Sequence, residues 1–408
     1  MSINRRRLLG LAGSALGTAI LGRSGAAPAA DTARRLVVVM LRGAVDGLNV
    51  VVPHGDADYR RMRPNIALSA PGSGDGALNL DGYFGLHPAL APLLPLWTER
   101  RLAFVHACGS PDPSRSHFDA QDFMESGTPG IRTTSDGWMN RLLRFLPPPH
   151  GPTQAISLGP TRPRILAGPE LNTNISLARG ADKPNPLDRP AVAEAFAGLY
   201  GGNDPLSKAY LEGRQARREL MTGMEAERAA ADNGAPSATG FPAMAARLAE
   251  LLLRDDHIRI AFAALGGWDT HVNQGAGGGQ LANHLKPLGE GLAALARGLG
   301  PRLDDTAILV MSEFGRTARE NGNQGTDHGH GNVVWVLGGR VAGGKVHGHW
   351  PGLDDKALYQ GRDLAVTTDF RAVIAATLER HLGLSDRQMA EVLPPPGFAG
   401  ALPGLFRL

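Results

Sequence analysis

The chain has 408 residues, 42% of them hydrophobic and 20% charged, with 54 glycines, 30 prolines and a formal charge of +3. These values exclude a disordered or collagen-like chain and fit a globular protein of one large or two ordinary domains with long structured loops. The single cysteine, Cys108, excludes an intramolecular disulfide, and at the end of an apolar strand it reads as a buried thiol.

Residues 1–29 read as an export signal rather than as fold. "MSINRRRLLGLAGSALGTAILG" sets three arginines before a short Gly/Ala-rich apolar run, and "AAPAAD" offers a small-residue cleavage site after Ala29. Two adjacent arginines among Arg5, Arg6 and Arg7, followed by Leu8 and Leu9, resemble a twin-arginine signal. The expectation is a periplasmic or secreted protein whose partner in export is the twin-arginine translocation machinery, with no stable membrane span after cleavage. An uncleaved anchor is the rival reading, disfavoured by the shortness of the apolar run. Removing residues 1–29 deletes four arginines and no acid, so the charge of +3 becomes −1. The basic balance therefore belongs to the signal, which argues against a nucleic-acid partner.

From residue 30 to 408 the pattern predicts one α/β domain, a mostly parallel central β-sheet with helices on both faces. "RLVVVML" (35–41) is a continuous apolar run, as a central parallel strand covered on both faces requires. The runs at 101–107, 258–265, 306–312 and 332–339 look alike. Helical patterns fall at 117–126, 137–146, 190–200, 207–231, 241–254, 280–299 and 369–382. The charged, Ala-rich stretch within about 182–256 reads as a helical insertion.

In such sheets ligands bind beyond the carboxyl ends of the strands, so the residues just after each strand are the informative ones. "RGAVDGLN" supplies Asp46, which is either a turn residue or a metal ligand. "SHFDAQDFMESG" opens on Ser116, a helix N-cap and a candidate nucleophile, since a helix N-terminus favours anions. His117 beside it is a candidate base, although adjacent helical residues point in different directions. "GGWDTHVNQG" carries Asp269 and His271, two apart and so on one side of an extended chain. "SEFGRT" offers Glu313 for metal and Arg316 for an oxyanion. "TDHGHGN" offers Asp327, His328 and His330, with imidazoles suited to metal. His347 and His349, on an expected late hairpin, read as surface or substrate-loop residues. His54, His87, His106 and His150 read as structural. No G-x-G-x-x-G occurs after the first strand, which argues against a nicotinamide or flavin cofactor.

"LRGAVDGLNVVVP", "SRSHFDAQDFMESG", "GGWDTHVNQG", "ILVMSEFGRT" and "TDHGHGN", in that order over about residues 35–350, resemble the alkaline phosphatase and sulfatase superfamily. They look most like its exported bacterial family catalogued as a domain of unknown function (number 1501). The resemblance implies an alkaline phosphatase-like fold, one or two divalent metal ions (zinc, or calcium or manganese) and a nucleophile at a helix start. It assigns metal binding to Asp46, Asp269, His271, Glu313 and His328 or His330, and attack to Ser116; Arg316 or the helix N–H groups would hold the oxyanion. The implied activity is hydrolysis of phosphate or sulfate esters on a small-molecule or polymer substrate. Glu313 and Phe314 depart from the superfamily's S-D-H-G or S-D-N-G, and Phe314 offers no ligand. No C-x-P-x-R supplies a formylglycine. The rival expectation is a non-catalytic exported protein that keeps the fold to bind a metal or a polymer.

Overall fold

The computed structural model describes residues 34–175, 229–394 and 400–407. The chain divides into two units, Met1–Thr32 and Ala33–Leu408, and the first lies outside the described residues. The export signal therefore lies outside them, as does most of the expected insertion, residues 182–228. No described helix is long and apolar enough to cross a membrane.

Strand β1 (Arg35–Leu41) is buried throughout and runs parallel to its neighbours on both sides. After it in chain order come β2 (Leu102–Gly109), α1 (His117–Ser126), α2 (Trp138–Leu143), β3 (Ala155–Leu158) and β4 (Thr173–Ile175). Then come α3 (Phe241–Arg254), β5 (Ile260–Leu265), α4 (Gln280–Leu299), β6 (Thr306–Ser312) and β7 (Asn332–Gly338). Two short strands, β8 (Val346–His347) and β9 (Thr368–Asp369), and two helices, α5 (Phe370–Ala376) and α6 (Asp386–Val392), close the fold. The sheet order is β8-β2-β7-β6-β1-β5-β3-β4, with β9 also paired to β2.

Alternation along β1 explains why every residue in it is apolar or buried. Val37, Val39 and Leu41 enter one core layer, while Leu36, Val38 and Met40 enter the other. The first layer is closed by Phe241, Ala245 and Leu248 of α3 and by Leu281, Leu285, Leu288 and Leu292 of α4. The second is closed by Trp138 and Leu142 of α2, Phe370 and Val373 of α5, and Val392 of α6. Helices thus cover both faces, and the α/β class read from the sequence is the observed one.

Two details differ from expectation. Strand β7 runs antiparallel to both β6 and β2. An apolar run buried on both faces records burial but not chain direction, so "NVVWVLG" carries no sign of this. The segment around His347 forms no hairpin; β8 pairs parallel to β2, and the His347 Nε2 meets the Ala342 carbonyl at 3.0 Å. Helix α3, at the end of the stretch read as an insertion, packs in the core.

Candidate metal centre

Four loops beyond the carboxyl ends of β1, β2, β5 and β6 converge. Asp269 and His271 come after β5, His117 opens α1 after β2, and His328 lies in the segment between β6 and β7. The Asp269 Oδ1 lies 3.0 Å from the His271 Nε2, 3.3 Å from the His328 Nε2 and 3.8 Å from the His117 Nε2. The His328 Nε2 is 3.0 Å from the Nε2 of both His117 and His271. Ligands about 2.0–2.1 Å from a tetrahedral cation stand roughly 3.3 Å apart, so the spacing among His117, Asp269 and His328 suits one ion. His117, Asp269 and His328 form a geometric group able to hold a metal among the described residues.

The proton inventory points the same way. The Nδ1 of His117 faces the Glu313 Oε1 at 2.7 Å, that of His328 faces the Arg115 carbonyl at 3.0 Å, and that of His271 faces the Asp327 carboxylate at 3.3 Å. Carbonyls and carboxylates only accept, so each Nδ1 carries the hydrogen and each neutral ring turns a bare Nε2 inward. Three lone pairs and a carboxylate then face one another. The buried Asp269 Oδ2 has no hydrogen-bond partner among the described residues, a costly state, while Oδ1 is the atom that faces the imidazoles. Burial opposes charge on His117, yet its bonds to Asp269 and Glu313 prevail and push its pKa up to about 9. That second proton sits on Nε2, so a metal bound there would have to displace it. Burial would raise the Asp269 carboxyl, but the three imidazoles and Arg316 hold it far below the usual carboxylate range.

The supporting frame is built from backbone as much as from side chains. Glu313 is wholly buried and accepts from the Gly43 amide at 2.8 Å, from Gln121 at 3.0 Å and from the Ser312 hydroxyl at 2.9 Å. Gly43 has φ +109, and a Cβ there would lie 2.8 Å from the Asp269 amide, so only glycine brings the β1 loop so close. Gly329 likewise lets the His328 segment lie against Arg316, whose backbone would be 2.4 Å from an added Cβ. Phe314 packs its ring 4.9 Å from His117 and 5.1 Å from His328, closing that side of the cluster.

The structure thus brings together Asp269, His271 and His328, with Glu313 one contact behind through His117. Asp46 is elsewhere engaged: Arg63 grips it bidentately at 2.6 and 3.0 Å and Gln274 donates to it at 2.6 Å, all fully buried. His330 stacks on Tyr359 with centroids 4.6 Å apart, and the group of His117, Asp269 and His328 includes neither it nor His271, which meets the group only through Asp269 and His328. Arg316 is buried, donating to Asp269 at 2.6 Å and to the carbonyls of Gly43, Ala44, Trp268 and Thr326. In this arrangement it fixes Asp269. Ser116 caps α1 by accepting from the Asp119 amide at 3.4 Å, and it is exposed.

His117 is the candidate ligand hardest to see in the sequence. Its signal is the polar series His117, Gln121 and Glu125, spaced by four on one face of α1 and buried throughout. Replacing Glu313 by Gln keeps the shape but weakens the carboxylate–imidazole bond. Metal affinity is expected to fall about 10–100-fold, read by competition with a chromophoric chelator.

The family model described as "Protein of unknown function (DUF1501)" matches residues 33–393. The chain belongs to that family. No curated protein matches this DUF1501 chain. Among solved structures it is similar to a protein in the alkaline phosphatase superfamily from Vibrio parahaemolyticus, at 11% identity and TM-score 0.39, covering 78% of this chain and 63% of that one. It is also similar to the periplasmic domain of EcEptC from Escherichia coli in complex with Zn (9% identity, TM-score 0.36, 76% and 73% covered). The lipoteichoic acid synthase LtaP from Listeria monocytogenes is similar at 8% identity and TM-score 0.38, with 87% and 73% covered. The DUF1501 chain spans less than two thirds of the Vibrio protein.

Proposed function

We propose that this DUF1501 chain is an exported, periplasmic or secreted hydrolase of phosphate or sulfate esters that depends on one divalent metal ion. The observation that carries the reading is the inward convergence of three bare imidazole nitrogens on Asp269. His117, His271, His328 and Asp269 would hold the ion. Three nitrogens and one oxygen suit zinc or manganese better than calcium, which takes oxygen ligands. The cation would polarise the ester oxygens and offset their charge. Glu313 orients His117, and Arg316 keeps the Asp269 carboxylate turned into the cluster. Phe314 packs on His117 and His328 and offers no ligand atom, which favours one ion over two.

Attack falls to Ser116, whose hydroxyl sits at the start of α1 next to His117 and donates to no group among the described residues. The substrate is a small-molecule or polymer ester. The test is a panel of aryl phosphates, phosphodiesters and sulfates assayed on purified protein. Turnover of one class is expected, lost with chelator and restored by zinc or manganese. Ser116→Ala is expected to lower kcat by about 100-fold or more, within the range of nucleophile loss, with metal content unchanged. Undiminished turnover by Ser116→Ala would move attack to water. Bound metal with no turnover of any ester would favour the rival, a non-catalytic metal-binding protein, for which the full commitment of Arg316 to protein groups is the supporting observation.

A further inference from the structure

A second feature lies at the opposite edge of the sheet and is independent of the metal-centre reading. Arg34 and Arg101 immediately precede β1 and β2, Asp304 lies just before β6, and antiparallel β7 delivers Arg340 to the same edge. Strands of about seven residues at roughly 3.3 Å each set this edge about 20 Å from the carboxyl ends that carry the metal centre. A cleft of about 290 Å³ here is lined by Arg100, Arg101, Arg340 and Arg407 against one acid, Asp304. A second of about 300 Å³ shares Arg340, Arg407 and Asp304, and adds Arg34 and Arg380 together with Asp305 and Glu379, so the first cleft is the more cationic of the two.

Asp304 is paired with Arg101 at 3.0 Å and Glu379 with Arg380 at 3.0 Å. That leaves Arg100, Arg340 and Arg407 without a carboxylate partner among the described residues. Their placement is built rather than incidental. Arg100 has φ +57 and Arg340 φ +63, a left-handed conformation that glycine or asparagine adopts more readily. The terminal segment is strapped alongside: Val341 bridges Phe406, the Ala342 amide donates to the Leu405 carbonyl at 2.8 Å, and the Arg407 amide donates to the Arg340 carbonyl at 3.0 Å. Arg407 also donates to the Arg100 carbonyl, which links the three residues. Planar guanidinium forks converging on one concave surface match a phosphate-type oxyanion bidentately.

We infer that this arginine cleft binds a phosphate-type oxyanion at a site separate from the metal centre. Two sources share that chemistry, a soluble phosphate compound and the headgroup of an anionic lipid. The test uses inorganic pyrophosphate by calorimetric titration and, in parallel, co-flotation with phosphatidylcholine vesicles with and without phosphatidylglycerol. Arg100→Gln is expected to weaken binding about tenfold or more, the loss of one charge-assisted pair. Arg340→Gly should do the same while leaving the melting temperature unchanged or raised, because glycine relieves the left-handed backbone. His328→Ala should bind as wild type. Pyrophosphate binding with that pattern assigns a soluble anion, and vesicle binding that needs phosphatidylglycerol assigns a headgroup. Binding in neither arm overturns the inference, as does binding lost in His328→Ala but kept in the arginine variants.

Discussion

His117→Ala is expected to lose more than about 100-fold in metal affinity, beyond the range for removing a residue that only supports a ligand, and to lose ester hydrolysis with it. The reason is geometric. His117 contributes an Nε2 3.0 Å from that of His328 and 3.8 Å from Asp269, and its own Nδ1 is fixed by Glu313 at 2.7 Å. Alanine removes one ligand and also strands the buried Glu313 carboxylate without its imidazole. Ser116→Ala, one residue away, should keep the metal, because Ser116 is exposed and its oxygen caps α1. Competition titrations on the two variants separate these roles. Equal metal loss in both would mean that the start of α1 acts through helix formation alone, and the assignment of His117 as ligand would fall.

Arg63→Met should cost about 3–5 kcal/mol of folding stability, the range for stranding one partner of a buried ion pair. Both side chains are fully buried, and Arg63 donates to Asp46, to Asn49 and to the carbonyls of Thr317 and Ala318. It therefore ties the loop after β1 to the segment after β6, two of the loops that frame the metal centre. Urea midpoints on Arg63→Met, on Asp46→Leu and on the double variant test the pairing. The double variant should recover much of the loss, because no unpaired charge remains buried. Asp46→Asn is expected to retain metal; selective metal loss there, with stability intact, would make Asp46 a ligand.

The sheet and its two covering layers are legible in the sequence because burial on both faces writes itself as unbroken apolar runs, as in "RLVVVML". Chain direction is not, because β7 is buried in the same way whichever way it runs. At the site, position after a strand marks Asp46 and Asp269 equally. What separates them is who comes to meet each: Arg63, from a short helix-end segment with no chemical motif, takes Asp46, whereas His117, His271 and His328 reach Asp269. At the start of α1 the N-cap Ser116 is exposed, while His117, the first helical residue, is buried. The glycine in "HGH" suggests two free imidazoles. In the fold it admits the Arg316 backbone, and only His328 joins the cluster while His330 stacks on Tyr359. Position after β6 brings Glu313 to the site, but its link to the cluster runs through an imidazole that spacing does not reveal.

The central claim is a single divalent cation held by three imidazoles and Asp269. Metal content of the purified protein, combined with X-ray absorption at the edge of the metal found, tests it most directly. The expected result is one zinc or manganese per chain with predominantly histidine nitrogen around it, absent from His117→Ala and present in Asp46→Asn. A metal-free protein that takes up neither ion, or an all-oxygen shell that survives His117→Ala, would contradict it.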